Sequence, residues 1–171
     1  MPKLTRDKYI VYIDASFGGE TPQWFKIGKS LSSLATELNP DVSVEKNILG
    51  ETFVTDNGYS PQTTVEPYYA NTDDAIYEKI LDIALNRKTG DACRTKIMEV
   101  VVSGSGDTGA AGRHRAWVED VIVKPTSFGG DTSGVAIPFD VYFDGNRQEG
   151  DVDYAGDYRT SEPTFVDRTG A

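Results

Sequence analysis

The chain is expected to be mainly β with one helix (α+β): an antiparallel β-sandwich or small barrel flanked by a single α-helix. Three observations predict it. Short runs rich in Val, Ile, Thr and aromatic residues recur between clusters of Gly, Pro, Asn and Asp. One stretch alone, Thr72–Gly90 (TDDAIYEKILDIALNRKTG), carries a convincing helical period. A chain of 171 residues is the size of one domain and buries a core without disulfide or metal staples.

In the helical stretch Ile76, Ile80 and Ile83 fall at i, i+4 and i+7. Tyr77, Leu81 and Ala84 repeat that spacing one step round, which predicts a wide apolar face. Thr72 or Asp73 is the expected cap, and Asp73 and Asp74 meet the positive end of the dipole. Arg87 and Lys88 meet the negative end, and Gly90 is the expected left-handed stop.

The strands follow in order. Lys8–Asp14 (KYIVYID) is the first, Phe17–Pro22 a turn, and Gln23–Gly28 a short second strand. Ser30–Thr36 is weakly helical or looped, and Asn39–Pro40 breaks it. Asp41–Thr55 alternates about a turn or bulge at Gly50. Asp56–Pro61 reads as a loop, and Thr63–Tyr69 as a strand whose Pro67 suggests an edge. After the helix, Thr95–Val102 is strand-like, Gly104–Gly112 a glycine-rich loop, Ala116–Val123 a strand and Pro125–Gly134 a loop.

The cleanest period-two signal is Val135–Phe143, with Val135, Ile137, Phe139, Val141 and Phe143 on one face. Beyond Asp144 aliphatic residues thin out, and Asp151–Ala171 is expected to be mobile in an isolated subunit. The expected plan is one domain over residues 1–171. It has a folded body at about 8–143, a long loop at 45–62, and mobile arms at 1–7 and 144–171.

Seventeen Lys and Arg stand against 27 Asp and Glu, a net charge of −10. Such a surface repels phosphate, which argues against duplex binding by counterion release. Cys93 is alone, so no internal disulfide forms and a reducing compartment fits. The N-terminus lacks an apolar signal core and no apolar run approaches membrane length, so an acidic protein of a cytosol is expected.

Several motifs hint at chemistry. Gly104–Gly109 (GSGDTG) matches G-x-G-x-x-G, but a dinucleotide site needs a helix to open there, and Gly112 and the strand-like run from Ala116 argue for a loop. Asp144–Asp153 hints at a calcium loop; Gly150 comes one place late and no terminal Glu follows, so an acidic turn is expected. His114, between Arg113 and Arg115, reads as part of a loop pairing with an acidic neighbour, and Cys93 has no implied base. Glu119 and Asp120 point to opposite faces of a strand and build no acid/base dyad. Trp24 and Trp117 read as core or interface. No catalytic set, cofactor site or metal site emerges, and an enzyme is not expected.

An ordered pattern then runs through the chain: Trp24–Gly28, the Leu38–Asp41 break (LNPD), Leu49–Thr52 (LGET), Gly58–Tyr59, Pro67–Tyr69 and the acid-capped helix. Gly129–Thr132 (GGDT) before an alternating strand and Gly145–Gly150 (GNRQEG) complete it. Over about residues 8–155 this resembles the tail tube (major tail) proteins of long-tailed, siphovirus-type bacteriophages. The resemblance implies a tail-tube-like fold. Six subunits would form a ring, and rings would stack into a tube whose acidic lumen conducts DNA during ejection.

Its implied partners are copies of itself and tape-measure, tail terminator and baseplate proteins, with DNA only as passing cargo and no membrane. The implied location is the virion tail, after synthesis in the host bacterial cytoplasm. The implied inter-subunit residues are Glu45, Ile48, Leu49, Glu51, Phe53 and Tyr59 in the long loop, and Arg147, Tyr154 and Tyr158 in the C-terminal arm. A tube protein of a related secretion or bacteriocin system would share the fold. The reading from a different class is a monomeric β-sandwich that binds sugar or protein through Tyr and Trp side chains.

Overall fold

The computed structural model describes residues 4–29, 31, 33–102, 112–155 and 160–167. The β-branched and aromatic runs form the strands. β1 (Tyr9–Asp14) pairs antiparallel with β2 (Trp24–Ile27), Val11 opposite Ile27 and Asp14 opposite Trp24. Buried Asp14 ties the turn between them: its Oδ1 accepts from the Ser16 amide (2.9 Å), the Ser16 hydroxyl (2.6 Å) and the Gln23 amide (3.0 Å). The short β3 (Thr36–Glu37) comes next. β4 (Pro40–Lys46) and β5 (Thr52–Tyr59) then form a separate two-stranded sheet.

β6 (Gln62–Val65) leads towards the helix α1 (Tyr77–Asn86). β7 (Arg94–Val101), β8 (Gly112–Pro125), a small β9 (Gly129–Asp131) and β10 (Gly134–Ala136) hairpin, β11 (Phe139–Tyr154) and β12 (Pro163–Asp167) complete the chain.

The main sheet runs in the order β2-β1-β7-β8-β11-β6-β3, antiparallel throughout, and curls into a half-barrel. β6 pairs with the first half of β11 and β12 with the second. Two irregularities in the β8 register, between Phe143 and Gln148, bend β11 at the changeover.

Both faces of the central strands are buried. On one, Val11, Ile13, Ile97, Val121, Val123 and Val141 pack beneath Ile76 and Ile80 of the helix segment. On the other, Ile10, Tyr12, Met98, Val100, Ala116, Val118, Val152 and Tyr154 form a second cluster with Phe165 of β12 against it. Each such aliphatic side chain contributes roughly 1.5–3 kcal/mol on burial. The Tyr12 and Tyr154 hydroxyls satisfy each other at 2.8 Å inside that cluster.

The helix differs from expectation at both ends. It begins at Tyr77 rather than at Thr72, and Ile76 at its start makes no side-chain cap. Asn71 is the reason: its side chain accepts the Asp73 amide (3.0 Å) and its carbonyl the Asp74 amide (3.0 Å), which commits the acids to turns. The stop is Arg87, left-handed at φ 49°, while Gly90 opens a 3-10 turn through Cys93. The predicted face holds: Ile76, Ile80 and Ile83 are buried, and Leu81 and Ala84 pack against the cluster.

Three further expectations are corrected. Val135–Phe143 is not one strand; β10 and β11 divide it at Ile137–Pro138, so Ile137, Phe139 and Val141 are buried while Val135 is exposed. The stretch expected to be a loop at 45–62 is mostly ladder, in the β4–β5 hairpin. The expected C-terminal arm is strand over much of its length: β11 runs to Tyr154 and β12 returns along it. Val152 and Tyr154 alternate inward. Gly150 has no side chain because a Cβ there would lie 2.4 Å from the Val166 carbonyl oxygen and 2.6 Å from the Phe165 ring.

The calcium-like run 144–153 lies within β11, and its first part holds the two register irregularities. His114 and Arg115 sit in β8 instead of a loop; His114 is buried with its ring 5.8 Å from that of Tyr154. The GSGDTG stretch lies outside the described residues.

Candidate assembly surface

The β4–β5 hairpin stands apart from the body. Its register places Val44 opposite Val54 and Glu45 opposite Phe53, so directly paired residues share a face. One face presents Val42, Val44 and Val54 together with Asp56, Lys46 and Thr52; the other presents Ser43, Thr55, Glu45 and Phe53. All three valines and Phe53 are exposed, as are Leu38 and Tyr59 at the base. The base is held to the chain by the Ser60 amide donating to the Leu38 carbonyl (3.2 Å) and by Asn39 Nδ2 donating to the Ser60 carbonyl (3.0 Å).

The tip is built by Asn47. Its Oδ1 accepts the amides of Leu49 and Glu51, each at 3.0 Å, and its Nδ2 donates to Glu51 Oε2 at 2.8 Å. The Gly50 amide returns to the Asn47 carbonyl (3.0 Å) with Gly50 at φ 80°, a left-handed turn that suits glycine. This frame points Ile48 and Leu49 outward, 101% and 76% exposed. Two bare aliphatic side chains on a hydrogen-bonded turn, with the Val44–Val54 pair beyond Lys46 and Thr52, make a candidate contact surface.

Six of the nine residues expected at subunit contacts, Glu45, Ile48, Leu49, Glu51, Phe53 and Tyr59, thus lie on this one hairpin. Among the described strands, β2 at the end of the main sheet pairs with β1.

No protein-family model and no curated protein matches the chain. Solved structures do. One is the cap that terminates the tube of the anti-feeding prophage, at 16% identity and TM-score 0.50, covering 87% of this chain and 91% of that one. Another is the sheath/tube terminator of the extracellular contractile injection system PVC in its extended state, at 13% identity and TM-score 0.50, covering 87% and 97%. The fold is shared with two tube-ending proteins. Among the described residues, no helix is long and apolar enough to cross a membrane.

Within this fold the remaining expected contact residues lie elsewhere. Arg147 Nη1 donates to Glu119 Oε1 (2.9 Å) and Glu99 Oε1 (3.1 Å), two carboxylates that are nearly buried. Glu119 Oε2 accepts the Gly145 amide (3.2 Å), and the Tyr9 hydroxyl donates to Glu99 Oε2 (2.7 Å). Burial works against the Arg147 charge, but the bond to Glu119 and the charge of Glu99 outweigh it and hold the guanidinium above its ordinary pKa. Burial, helped by Glu99, pushes the Tyr9 phenol up. The guanidinium also lies 5.9 Å from the Trp117 ring, which carries Arg115 at 5.0 Å.

The cluster pins the bent part of β11 to β1, β7 and β8, so Arg147 acts within the chain instead of reaching out from an arm. Tyr154 is 1% exposed, a core residue. Tyr158 lies outside the described residues. Sequence reasoning missed Val42, Val44 and Val54; the alternation was visible, but nothing in it showed that neither face would be covered.

Proposed function

We propose that the chain is a structural subunit of a phage-tail-like tube, assembling into a ring and engaging neighbouring layers through the β4–β5 hairpin. The observation that carries this is the hairpin tip, where Asn47 holds Ile48 and Leu49 in a fixed turn with nothing over them. Likeness to a tube cap and a sheath/tube terminator supports a place in the tail, and favours a ring at the end of the tube. Its partners are copies of itself and adjoining tail proteins, and its biochemistry is protein contact without catalysis. The fuller form of the reading is a ring of six, stacked into a tube whose acidic lumen lets DNA pass without phosphate salt bridges.

The test is negative-stain electron microscopy of the concentrated chain beside an Ile48→Asp/Leu49→Asp variant. Wild type should give six-fold rings, single for an end-of-tube protein and stacked for a tube subunit. The variant should lose stacking while keeping its melting temperature, because the tip contributes nothing to the core. A wild type that stays monomeric at every concentration, indistinguishable from the variant, overturns the proposal.

A further inference from the structure

The β4–β5 ladder is irregular at one place. Pro40 pairs with Tyr59 and Val42 with Asp56, so Asn57 and Gly58 of β5 together stand opposite Asp41. Such a bulge takes the backbone out of regular ladder geometry. Gly58 has φ 93°, and a Cβ built on it would meet nothing within 4 Å. Its amide donates to Asp56 Oδ1 at 2.9 Å, a side chain of its own strand. Asn57 is exposed, and its Nδ2 donates to Ser43 Oγ at 3.4 Å, a long and weak hydrogen bond.

This bulge also holds the one asparagine of the chain that precedes a glycine. The other five asparagines precede Pro40, Ile48, Thr72, Arg87 and Arg147. The order matters because an asparagine side chain is an amide within reach of the next residue's backbone nitrogen. Attack by that nitrogen closes a cyclic imide, and a side chain on the attacking residue hinders closure. Glycine removes the hindrance and gives the backbone its widest freedom to reach the ring geometry. Asn47 is the opposite case: Oδ1 and Nδ2 are both engaged in the tip frame, and β-branched Ile48 follows it.

We infer that Asn57–Gly58 is a site of spontaneous deamidation in the folded chain. The Gly58 nitrogen bonds to Asn57 Cγ while the Cγ–Nδ2 bond breaks. The proton lost by the Gly58 amide, for which Asp56 Oδ1 is the adjacent acceptor, leaves with Nδ2 as ammonia. Water then opens the imide at either carbonyl, leaving an aspartate or a β-aspartyl linkage. Both products place a new negative charge beside Asp56 and across from Asp41, and like charges opposed in a ladder destabilise it. The β-aspartyl product also adds a methylene to the β5 main chain between the hairpin base at Ser60 and the tip. The modification therefore loosens the hairpin and leaves the body intact.

The test incubates the full chain at mildly alkaline pH, folded in one sample and unfolded in urea in another. Peptide mass spectrometry after digestion at mildly acidic pH then follows each asparagine. The folded chain should lose its Asn57 amide at a rate matching the unfolded chain, with aspartyl and β-aspartyl products, while the other five asparagines keep theirs. Asn57→Gln, which needs a larger ring, should show no conversion. As product accumulates, amide exchange should speed up in β4 and β5 and stay unchanged in β7 and β8. An Asn57 amide that lasts as long as the other five in the folded chain, or is lost only in urea, overturns the proposal. Equally fast conversion in Gly58→Ala overturns the role given to the glycine, and unchanged exchange in β4 and β5 overturns the effect on the hairpin.

Discussion

The β4–β5 hairpin and the β8–β11 pair are the same kind of object, antiparallel strands with valines at period two, and they meet opposite fates. Val121, Val123 and Val141 are buried, whereas Val42, Val44 and Val54 are exposed. The difference lies in what surrounds each ladder. β8 is flanked by β7 and β11, and β11 by β8 and then β6 or β12, with the helix packed over one end. Among the described strands, β4 and β5 pair only with each other. Alternation thus reports a strand without reporting whether its own chain supplies the cover. A body ladder stabilises the fold; an uncovered one is available for contact with another molecule.

The comparison breaks most visibly at two phenylalanines. Phe139 in β11 is 1% exposed and Phe53 in β5 is 46% exposed. Phe139→Ala should cost about 3–5 kcal/mol by removing its buried ring and leaving a cavity. Phe53→Ala should stay within about 0.5 kcal/mol of wild type. Urea unfolding of both variants reads this directly, and equal losses would mean that the hairpin belongs to the folding unit.

A smaller effect is expected at Gly150. The β carbon of Gly150→Ala must displace the β12 backbone, a cost of about 1–3 kcal/mol from overpacking. Amide exchange should speed up across β12 and leave the hairpin amides unchanged. Protection retained in β12 would show that the two strands part without cost.

The smallest and most gradual effect is on pH. Burial raises the phenol pKa of both Tyr12 and Tyr154, and of Tyr68, where Asp74 adds to it. The folded chain therefore holds these protons more tightly than the unfolded chain, whose tyrosines titrate near about 10. The associated stability is complete below that pH and is lost as pH rises towards the folded values. Alkaline titration should show tyrosinate absorbance from these residues appearing together with loss of near-ultraviolet circular dichroism. Their ionisation in a still-folded chain would contradict the burial described here.

Much of the body was legible in sequence because its signals are local. Ile76, Ile80 and Ile83 mark the helix face, and Ile137, Phe139 and Val141 mark an inward row; both survive into the structure. The helix ends were less legible: the left-handed conformation of Arg87 is not announced by its residue type, and the Asn71 turn competed with Thr72 and Asp73 as the cap. The C-terminal strands were hidden for a different reason. Their few aliphatic residues suggested an arm, yet Val152, Tyr154 and Phe165 suffice when Gly150 lets two backbones close. The six hairpin residues expected at contacts are exposed in the fold, whereas Arg147 and Tyr154 bond to partners that lie far away in sequence.

The Asn47 frame has a kinetic consequence. An arm that had to fold on its target would slow every productive encounter by the time needed to find its bound shape. In the proposed assembly, Ile48 and Leu49 instead sit on a turn that the chain's own hydrogen bonds close. Successful collisions are then selected by orientation and charge alone. The speed of growth should therefore respond to concentration and ionic strength much more than to any internal clock of the subunit.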